Sequence, residues 1–329
     1  MLPATRALWA SFAALALLVL PSTAAAQTPP APTPTPAPPA AGALTSSAPD
    51  LPVAGTALTG RAFTVRVVLK PYVAGEKVTV RVYRGKRKIA VKALTPKAVA
   101  GNAAGVATLK VASGKPGKLR ITASHRATPG LATAVAKTLR VNALRPYASA
   151  GARGPLVRLL QAKLAGLHYA VPRSGVFDAG TQNAVMAYRK VTGMARTTIA
   201  SEQVFAGLLK GRGAFKVRHP GDGHHVEARL DKQVLALIDG KNVVAIYHIS
   251  SGKPSTPTVQ GRFKIYRKEF GTNSHGMVDA NYFIGGYAIH GYVEVPVFNA
   301  SHGCLRVPIP DAASIQRWLH FGDVVWVYP

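Results

Sequence analysis

The chain has 329 residues, with 41 Lys or Arg against 13 Asp or Glu, so its net charge is +28. Its single cysteine, Cys304, has no partner for an internal disulfide, which excludes a small disulfide-stapled domain. A chain this basic attracts anionic polymers, and the two kinds to weigh are nucleic acid and an anionic cell wall.

Residues 1–26 have the pattern of a secretory signal peptide. Arg6 is the only charged residue, Ala7 to Leu20 is apolar, and three alanines precede Gln27 as a cleavage site. The apolar run is shorter than the roughly 20 residues that span a bilayer, which argues against a retained membrane helix. We therefore expect export to the periplasm or cell wall. An exported chain meets little nucleic acid, so we expect anionic cell-wall polymers as partners and no nucleic acid.

Residues 27–145 divide into two segments of different composition. Residues 27–52 are rich in Pro, Ala and Thr and carry almost no charge, which predicts an extended linker. Residues 53–145 contain short runs of alternating apolar and polar residues, such as Phe63 to Lys70, separated by Gly and Pro. This pattern predicts an N-terminal immunoglobulin-like β-sandwich. No catalytic cluster occurs in it, and we interpret it as a spacer or a wall-contacting domain.

Residues 150–210 are predicted to form a small three-helix bundle. Pro155 suits a first helical turn, and leucines follow it at helical spacing. The order of residues also resembles the peptidoglycan-binding type 1 domain, which implies contact with the glycan. The residues that carry this resemblance are Gly154, Val157, Leu160, Gln161, Leu164, Gly175, Phe177, Thr181, Ala184, Val185, Tyr188 and Arg189.

Residues 213–329 are predicted to form a C-terminal, mainly β domain. The apolar run Val234 to Ile238 is followed by Asp239-Gly240, a typical hairpin turn. Tyr282 to His290 predicts a further strand. Pro310 opens a short helix near the end of the chain.

Cys304 lies in the segment Ser301-His302-Gly303-Cys304-Leu305-Arg306, and His290-Gly291 stands upstream of it. A cysteine attacks carbonyl carbon well once a nearby imidazole lowers the pKa of the thiol or takes its proton. His290 comes from a different strand, so it is better placed as the base than His302. The N–H groups of Gly303 and Cys304 are the donors that an oxyanion needs.

Two other interpretations of Cys304 stay open at this point. A free cysteine often acts as a small buried apolar residue. A zinc site built from His290, His302 and Cys304 is the other possibility, although the chain has no second cysteine and no HExxH helix. On balance the pattern favours a nucleophile without a metal.

The residues around Cys304 resemble the signature of the YkuD-type L,D-transpeptidases, which remodel bacterial peptidoglycan. The resemblance extends upstream to Tyr282 and Phe283. It implies that Cys304 is the nucleophile, that His290 is the base, and that the Gly291 carbonyl orients His290. The surrounding residues would form the pocket and contact the substrate: Ser301, His302, Gly303, Arg306, Tyr282 and Phe283. For Arg306 two roles are open, contact with a substrate carboxylate or bracing of the loop.

The same resemblance implies an activity and its partners. The enzyme would join peptidoglycan stem peptides by 3→3 cross-links with release of D-Ala, using no cofactor and no metal, and carbapenem inhibitors would acylate Cys304. Two rival functions remain. Water in place of an amine would make the chain an L,D-carboxypeptidase or cross-link hydrolase, and a vestigial motif would leave a non-catalytic wall-binding protein.

Overall fold

The structure is a computed structural model that describes residues 37–99, 101 and 103–329. The predicted signal peptide, residues 1–26, and the first part of the predicted linker, residues 27–36, lie outside the described residues. Within the described part, no helix has the length and apolarity that crossing a membrane requires.

The N-terminal region consists of two β-sheets. One has the strand order β1-β3-β7-β6, and the other has the order β2-β10-β8-β4-β5 with β9 paired to β8. The strands are β1 (Ala43–Ser47), β2 (Thr56–Leu58), β3 (Ala62–Lys70), β4 (Val78–Arg84), β5 (Arg87–Leu94), β6 (Lys97–Ala98), β7 (Gly105–Ala112), β8 (Gly117–His125), β9 (Ala134–Val135) and β10 (Leu139–Leu144). Val65 of one sheet and Val80 and Ile121 of the other are fully buried in one shared core. The immunoglobulin-like assignment stays a prediction.

Strand β1 lies inside the segment for which the composition predicts a linker. It pairs along its whole length with β3, from Ala43 opposite Lys70 to Ser47 opposite Arg66. Leu44 is its one buried residue, and the residues around it are small and polar or half-exposed. A single apolar residue gives no alternation, so only the pairing with β3 defines this strand. The folded region therefore begins upstream of residue 53.

Three helices follow, as the sequence predicts: α1 (Pro155–Ala165), α2 (Ala179–Val191) and α3 (Glu202–Leu209). The connection from α1 to α2 is held by Gln161, whose side chain is buried. Its amide donates to the Val176 carbonyl at 2.9 Å and to Thr181 Oγ1 at 2.9 Å, and its carbonyl accepts from the Gly175 N–H at 2.8 Å. Several residues that carry the sequence resemblance therefore have a structural role in this region.

The C-terminal region has two sheets, of order β13-β12-β11-β19-β14 and β15-β16-β17-β18. Most neighbouring strands are antiparallel, but β11 pairs with β19 and β17 pairs with β18 in parallel. The elements are β11 (His224–Arg229), β12 (Val234–Asp239), β13 (Asn242–His248), β14 (Gly261–Lys264), β15 (Arg267–Lys268), β16 (Val278–Ile284), β17 (Tyr287–Tyr292), β18 (Leu305–Pro308), α4 (Ile309–Trp318) and β19 (Val324–Tyr328).

Strand β12 is apolar on both faces because both faces are covered. Val234, Ala236 and Ile238 pack in the same core as the three helices, whereas Leu235 and Leu237 face the core of the C-terminal region. Successive side chains of a strand point to opposite faces, so an uninterrupted apolar run is what such a buried strand requires. The helical region and the C-terminal region therefore share a continuous core.

The predicted single strand from Tyr282 to His290 is wrong. The segment forms the ends of two strands, β16 and β17, which are antiparallel and pair Tyr282 with Ala288. The chain turns at Gly285-Gly286, where Gly285 has a φ of 48°, in the left-handed region that glycine adopts without strain. The turn folds the chain back on itself, so that His290 lies on β17, between β16 and β18 in the sheet.

Candidate active site

The parallel pair β17 and β18 brings the predicted catalytic side chains to one face of a sheet. His290 lies directly opposite Arg306 in the register of the two strands. Cys304 lies in the bend just before β18, and its side chain opens onto the same cavity as Arg306. All three line one cavity of about 280 Å³, whose walls are His275, Met277, His290, Tyr292, Ser301, His302, Cys304 and Arg306.

His290 is oriented by the backbone of the next residue. Its Nδ1 lies 2.9 Å from the Gly291 carbonyl oxygen, as the resemblance implies. A carbonyl only accepts, so Nδ1 carries the proton and Nε2 is left as an acceptor. Burial lowers the pKa of His290 to about 4, and the charge of Arg306 acts in the same direction. The imidazole is therefore neutral at pH 7 and able to take a proton.

Cys304 is half-buried at the edge of a small apolar cluster that includes Met277, Tyr282 and Ala288. Burial raises the pKa of its thiol above the ordinary value, although a hydrogen bond donated by the Ala288 backbone N–H and the charge of Arg306 oppose this shift. The thiol is therefore protonated at neutral pH. Of the two ways of activating a thiol, the arrangement favours proton removal by a neutral imidazole over a preformed thiolate–imidazolium pair.

Ser301 shapes the turn that carries the thiol. Its side chain is fully buried, donates to the Cys304 carbonyl at 2.6 Å and accepts from the Gly303 N–H at 3.0 Å. The Gly303 N–H is thus already engaged, contrary to the expectation that it holds an oxyanion. Within the described residues the Cys304 N–H has no hydrogen-bond partner, so it is the oxyanion donor that this geometry offers.

Position 303 requires glycine for two reasons, the conformation of its backbone and the closeness of the Tyr287 ring. Its φ is +117°, and an added Cβ would overlap the ring of Tyr287. The ring, rather than an approaching substrate, occupies the space that the missing side chain leaves. Gly303 is therefore a packing requirement of the turn.

We expect Gly303→Ala to destabilise the protein by about 1–3 kcal/mol, because the ring of Tyr287 has to move and the backbone is strained. Urea denaturation of the variant measures this loss. Gly322→Ala is the matched control, since Gly322 also has a positive φ but no atom lies within 4 Å of its added Cβ. Equal losses in the two variants would contradict the role given to Tyr287.

Arg306 and His302 both face the cavity. The Arg306 guanidinium lies 4.0 Å from the centre of the Tyr292 ring, and no carboxylate of the described residues pairs with it. It is braced by the ring and keeps its charge available to an anionic ligand, so the two predicted roles are compatible. His302 is exposed, with Nε2 3.1 Å from Lys253 Nζ.

Tyr282 and Phe283 do not line the cavity, contrary to the expectation that they contact substrate. Each is only 3% exposed. Tyr282 donates to Glu269 at 2.8 Å and lies under the Arg267 guanidinium, while Phe283 packs against Phe263 in the core. Neighbouring residues of a strand point to opposite sides, and here both sides are covered.

Three residues of the cavity are missing from the sequence-based prediction: His275, Met277 and Tyr292. Tyr292 follows His290 by two positions on β17, so strand periodicity alone places it on the same face. His275 and Met277 lie in the connection before β16, where no periodic signal exists. His290, His302 and Cys304 do not form a metal-ligating group; among the described residues the only such group of three is His224, His320 and Asp323.

Comparison with known proteins identifies two matching families. The L,D-transpeptidase catalytic domain (YkuD) family matches residues 223–327, and the putative peptidoglycan binding domain family matches residues 153–208. Residues 53–145 lie outside both matches. No match was found among curated proteins.

Two solved structures illustrate the similarity. The chain is 33% identical to the L,D-transpeptidase (residues 123-326) from Xylanimonas cellulosilytica DSM 15894, covering 55% of this chain and 97% of that chain with a TM-score of 0.51. It is 20% identical to an L,D-transpeptidase (Yku) from Stackebrandtia nassauensis, covering 55% of this chain and 95% of that chain with a TM-score of 0.36.

Proposed function

This chain belongs to the L,D-transpeptidase family, and from that premise we propose that it is an exported enzyme that forms 3→3 cross-links in peptidoglycan through a thioester on Cys304. The observation that supports this most directly is the cavity in which a neutral, oriented imidazole, a thiol and a free guanidinium meet on one face of β17 and β18. These groups are a base, a nucleophile and an anion-binding group, which acyl transfer from a peptide requires.

The first half-reaction forms the thioester. His290 Nε2 takes the thiol proton as Cys304 Sγ bonds to the carbonyl carbon of the third residue of a tetrapeptide stem. The oxygen of that carbonyl becomes negative and accepts from the Cys304 N–H. Collapse breaks the C–N bond to the terminal D-Ala, whose nitrogen leaves with the proton held by His290. Arg306 attracts the carboxylate of that D-Ala.

The second half-reaction resolves the thioester. A side-chain amine of a second stem attacks the same carbonyl carbon, its proton passes to His290, and the C–S bond breaks as the thiol is re-formed with that proton. The product is a 3→3 cross-link. Water in place of the amine would give a tripeptide, which is the L,D-carboxypeptidase outcome. We expect the carbapenem adduct on Cys304 to form by the same steps as the first half-reaction, except that no amine leaves.

Peptidoglycan as the substrate is supported by the second family match and by charge. The helical region matches the peptidoglycan-binding domain family, and the net charge of +28 would concentrate the protein on anionic cell-wall polymers. Export, by the signal peptide proposed for residues 1–26, would deliver the enzyme to the periplasm or cell wall.

Mass spectrometry of the purified protein incubated with a disaccharide tetrapeptide tests this function. We expect a 3→3 dimer together with free D-Ala. A disaccharide tripeptide is the matched control, because it has no D-Ala to release and should give no dimer. Tripeptide product without dimer would instead identify a carboxypeptidase. Unchanged substrate and no carbapenem adduct would leave a wall-binding protein.

A further inference from the structure

The loop of residues 293–300, here called the site loop, joins the two halves of the candidate active site. It begins after Tyr292, the last residue of β17 and two residues beyond His290, and it leads into Ser301, which holds the turn of Cys304. A displacement of this loop would therefore move the thiol relative to the imidazole.

Apolar packing does little to hold the site loop. Val293 is 78% exposed and Phe298 is 57% exposed, so both of these apolar side chains face solvent, and the valines between them are only half-buried. Three of its backbone carbonyls instead accept side-chain hydrogen bonds. The donors are Arg196 Nη1 to Val297 at 2.8 Å, His248 Nε2 to Val295 at 3.0 Å and Ser250 Oγ to Phe298 at 2.6 Å.

Arg196 belongs to the helical region, in the connection between α2 and α3. While Nη1 holds the site loop, its Nη2 donates to the Asp231 carbonyl at 3.1 Å, in the connection between β11 and β12. The rigid planar guanidinium thus bridges two backbone segments of the C-terminal region. Arg196 is half-buried, so part of its charge is screened from water.

A second link from the helical region reaches the same loop through His248. Lys190 of α2 is only 2% exposed, and its Nζ lies 2.7 Å from the Ile249 carbonyl oxygen, 2.7 Å from His248 Nδ1 and 3.2 Å from the Gln233 carbonyl oxygen, while burial lowers the pKa of Lys190 to about 6. Because the Val295 carbonyl only accepts, His248 carries its proton on Nε2, which donates to Val295. Burial lowers the pKa of His248 to about 3, in agreement with a neutral ring.

We propose that Arg196 is a positioning residue for the reaction at Cys304: it holds the site loop from the helical region, with the Lys190–His248 pair as a parallel support. The region that matches the peptidoglycan-binding family is thereby part of the scaffold of the active site, in addition to any contact with the wall. The proposal rests on the proposed function in one respect: its test uses a carbapenem, which the proposed function expects to acylate Cys304.

The test compares Arg196→Ala with Arg173→Ala in the purified protein. Both variants remove one positive charge from the helical region, but Arg173 is exposed and makes no hydrogen bond or ion pair to a described residue. We expect acylation of Cys304 by a carbapenem to slow about tenfold in Arg196→Ala, since small misplacements of reacting groups have large effects on rate. Arg173→Ala is expected to react at the wild-type rate.

Three further readouts separate positioning from a general loss of stability. Amide hydrogen exchange should increase over residues 293–304 in Arg196→Ala and stay unchanged elsewhere in the C-terminal region. Guanidinium ion, at a concentration that does not denature the protein, should restore part of the acylation rate of Arg196→Ala. Arg196→Lys should react at an intermediate rate, because one ammonium cannot bridge both carbonyls as the planar fork does.

Equal acylation rates in Arg196→Ala and Arg173→Ala, or unchanged exchange over residues 293–304, would overturn the proposal. If the wild-type protein is not acylated by a carbapenem, the proposed function fails while this inference is still decided by the exchange data and by the rate at which iodoacetamide alkylates Cys304.

Discussion

Replacing Cys304 with serine is expected to lower cross-linking by at least about 10³-fold, a loss typical of removing the nucleophile of an acyl-transfer enzyme. A hydroxyl is a much weaker acid than a thiol, and the neutral imidazole of His290 is too weak a base to ionise it. Mass spectrometry of the reaction with the disaccharide tetrapeptide measures the loss of dimer and of D-Ala. The carbapenem adduct should disappear from the same variant.

Retention on isolated cell wall provides the control for Cys304→Ser. Serine is close to cysteine in size, and the site is only half-buried, so the fold and the helical region should be unaffected. Retention equal to that of the wild-type protein would assign the lost activity to the sulfur atom. Dimer formed at the wild-type rate would show that another group is the nucleophile.

The spacing of the catalytic residues, and several turns and helices elsewhere, could be predicted from the sequence because each depends on residues that are close together in the chain. The short segment from Ser301 to Arg306 keeps Cys304 two residues before Arg306, and the parallel register places Arg306 opposite His290. The hairpin at Asp239-Gly240 and the three helices after Pro155 likewise depend on turn residues and helical spacing.

The features that the sequence does not predict depend on which surfaces meet. Tyr282 and Phe283 are aromatic residues beside a catalytic motif, yet other elements cover both. Lys190 has the composition of an exposed helical residue, and its burial depends on acceptors provided by Gln233 and Ile249, far along the chain. No local pattern encodes such long-range partners.

Replacing His290 with asparagine is expected to slow acylation of Cys304 by about 10²–10⁴-fold, the range that a general base contributes. The asparagine amide can still donate to the Gly291 carbonyl, so the variant keeps the orienting hydrogen bond. It has no atom that takes a proton where Nε2 stands. The rate of carbapenem acylation, followed by mass spectrometry, measures the effect.

The rate of Cys304 acylation should depend on pH differently in the wild-type protein and in His290→Asn. Burial lowers the pKa of His290 to about 4, so the wild-type rate should rise as the pH increases through this value and then level off while the imidazole is neutral. His290→Asn should lack this acid limb. Its rate should rise only in the alkaline range, where the thiol ionises by itself, because burial raises the pKa of Cys304.

Alkylation of Cys304 by iodoacetamide separates this mechanism from a preformed ion pair. A thiolate–imidazolium pair would react at its full rate already in mildly acidic solution. The structure instead predicts alkylation that increases with pH through the alkaline range in the wild-type protein. Full reactivity at mildly acidic pH would contradict the neutral pair and would require His290 to be charged at rest.

The low pKa of His290 also determines which half-reaction limits the rate. An imidazole with a pKa of about 4 is a weak base for the thiol, but its protonated form is a strong acid for the departing nitrogen of D-Ala. Attack by the thiol should therefore be slower than expulsion of D-Ala, and the thioester, which is a more reactive acyl group than the amide, should react with the amine faster than it forms. Rapid mixing with the tetrapeptide should show D-Ala release without a burst, and no accumulated thioester. A burst equal to the enzyme concentration would place the limit in the second half-reaction instead.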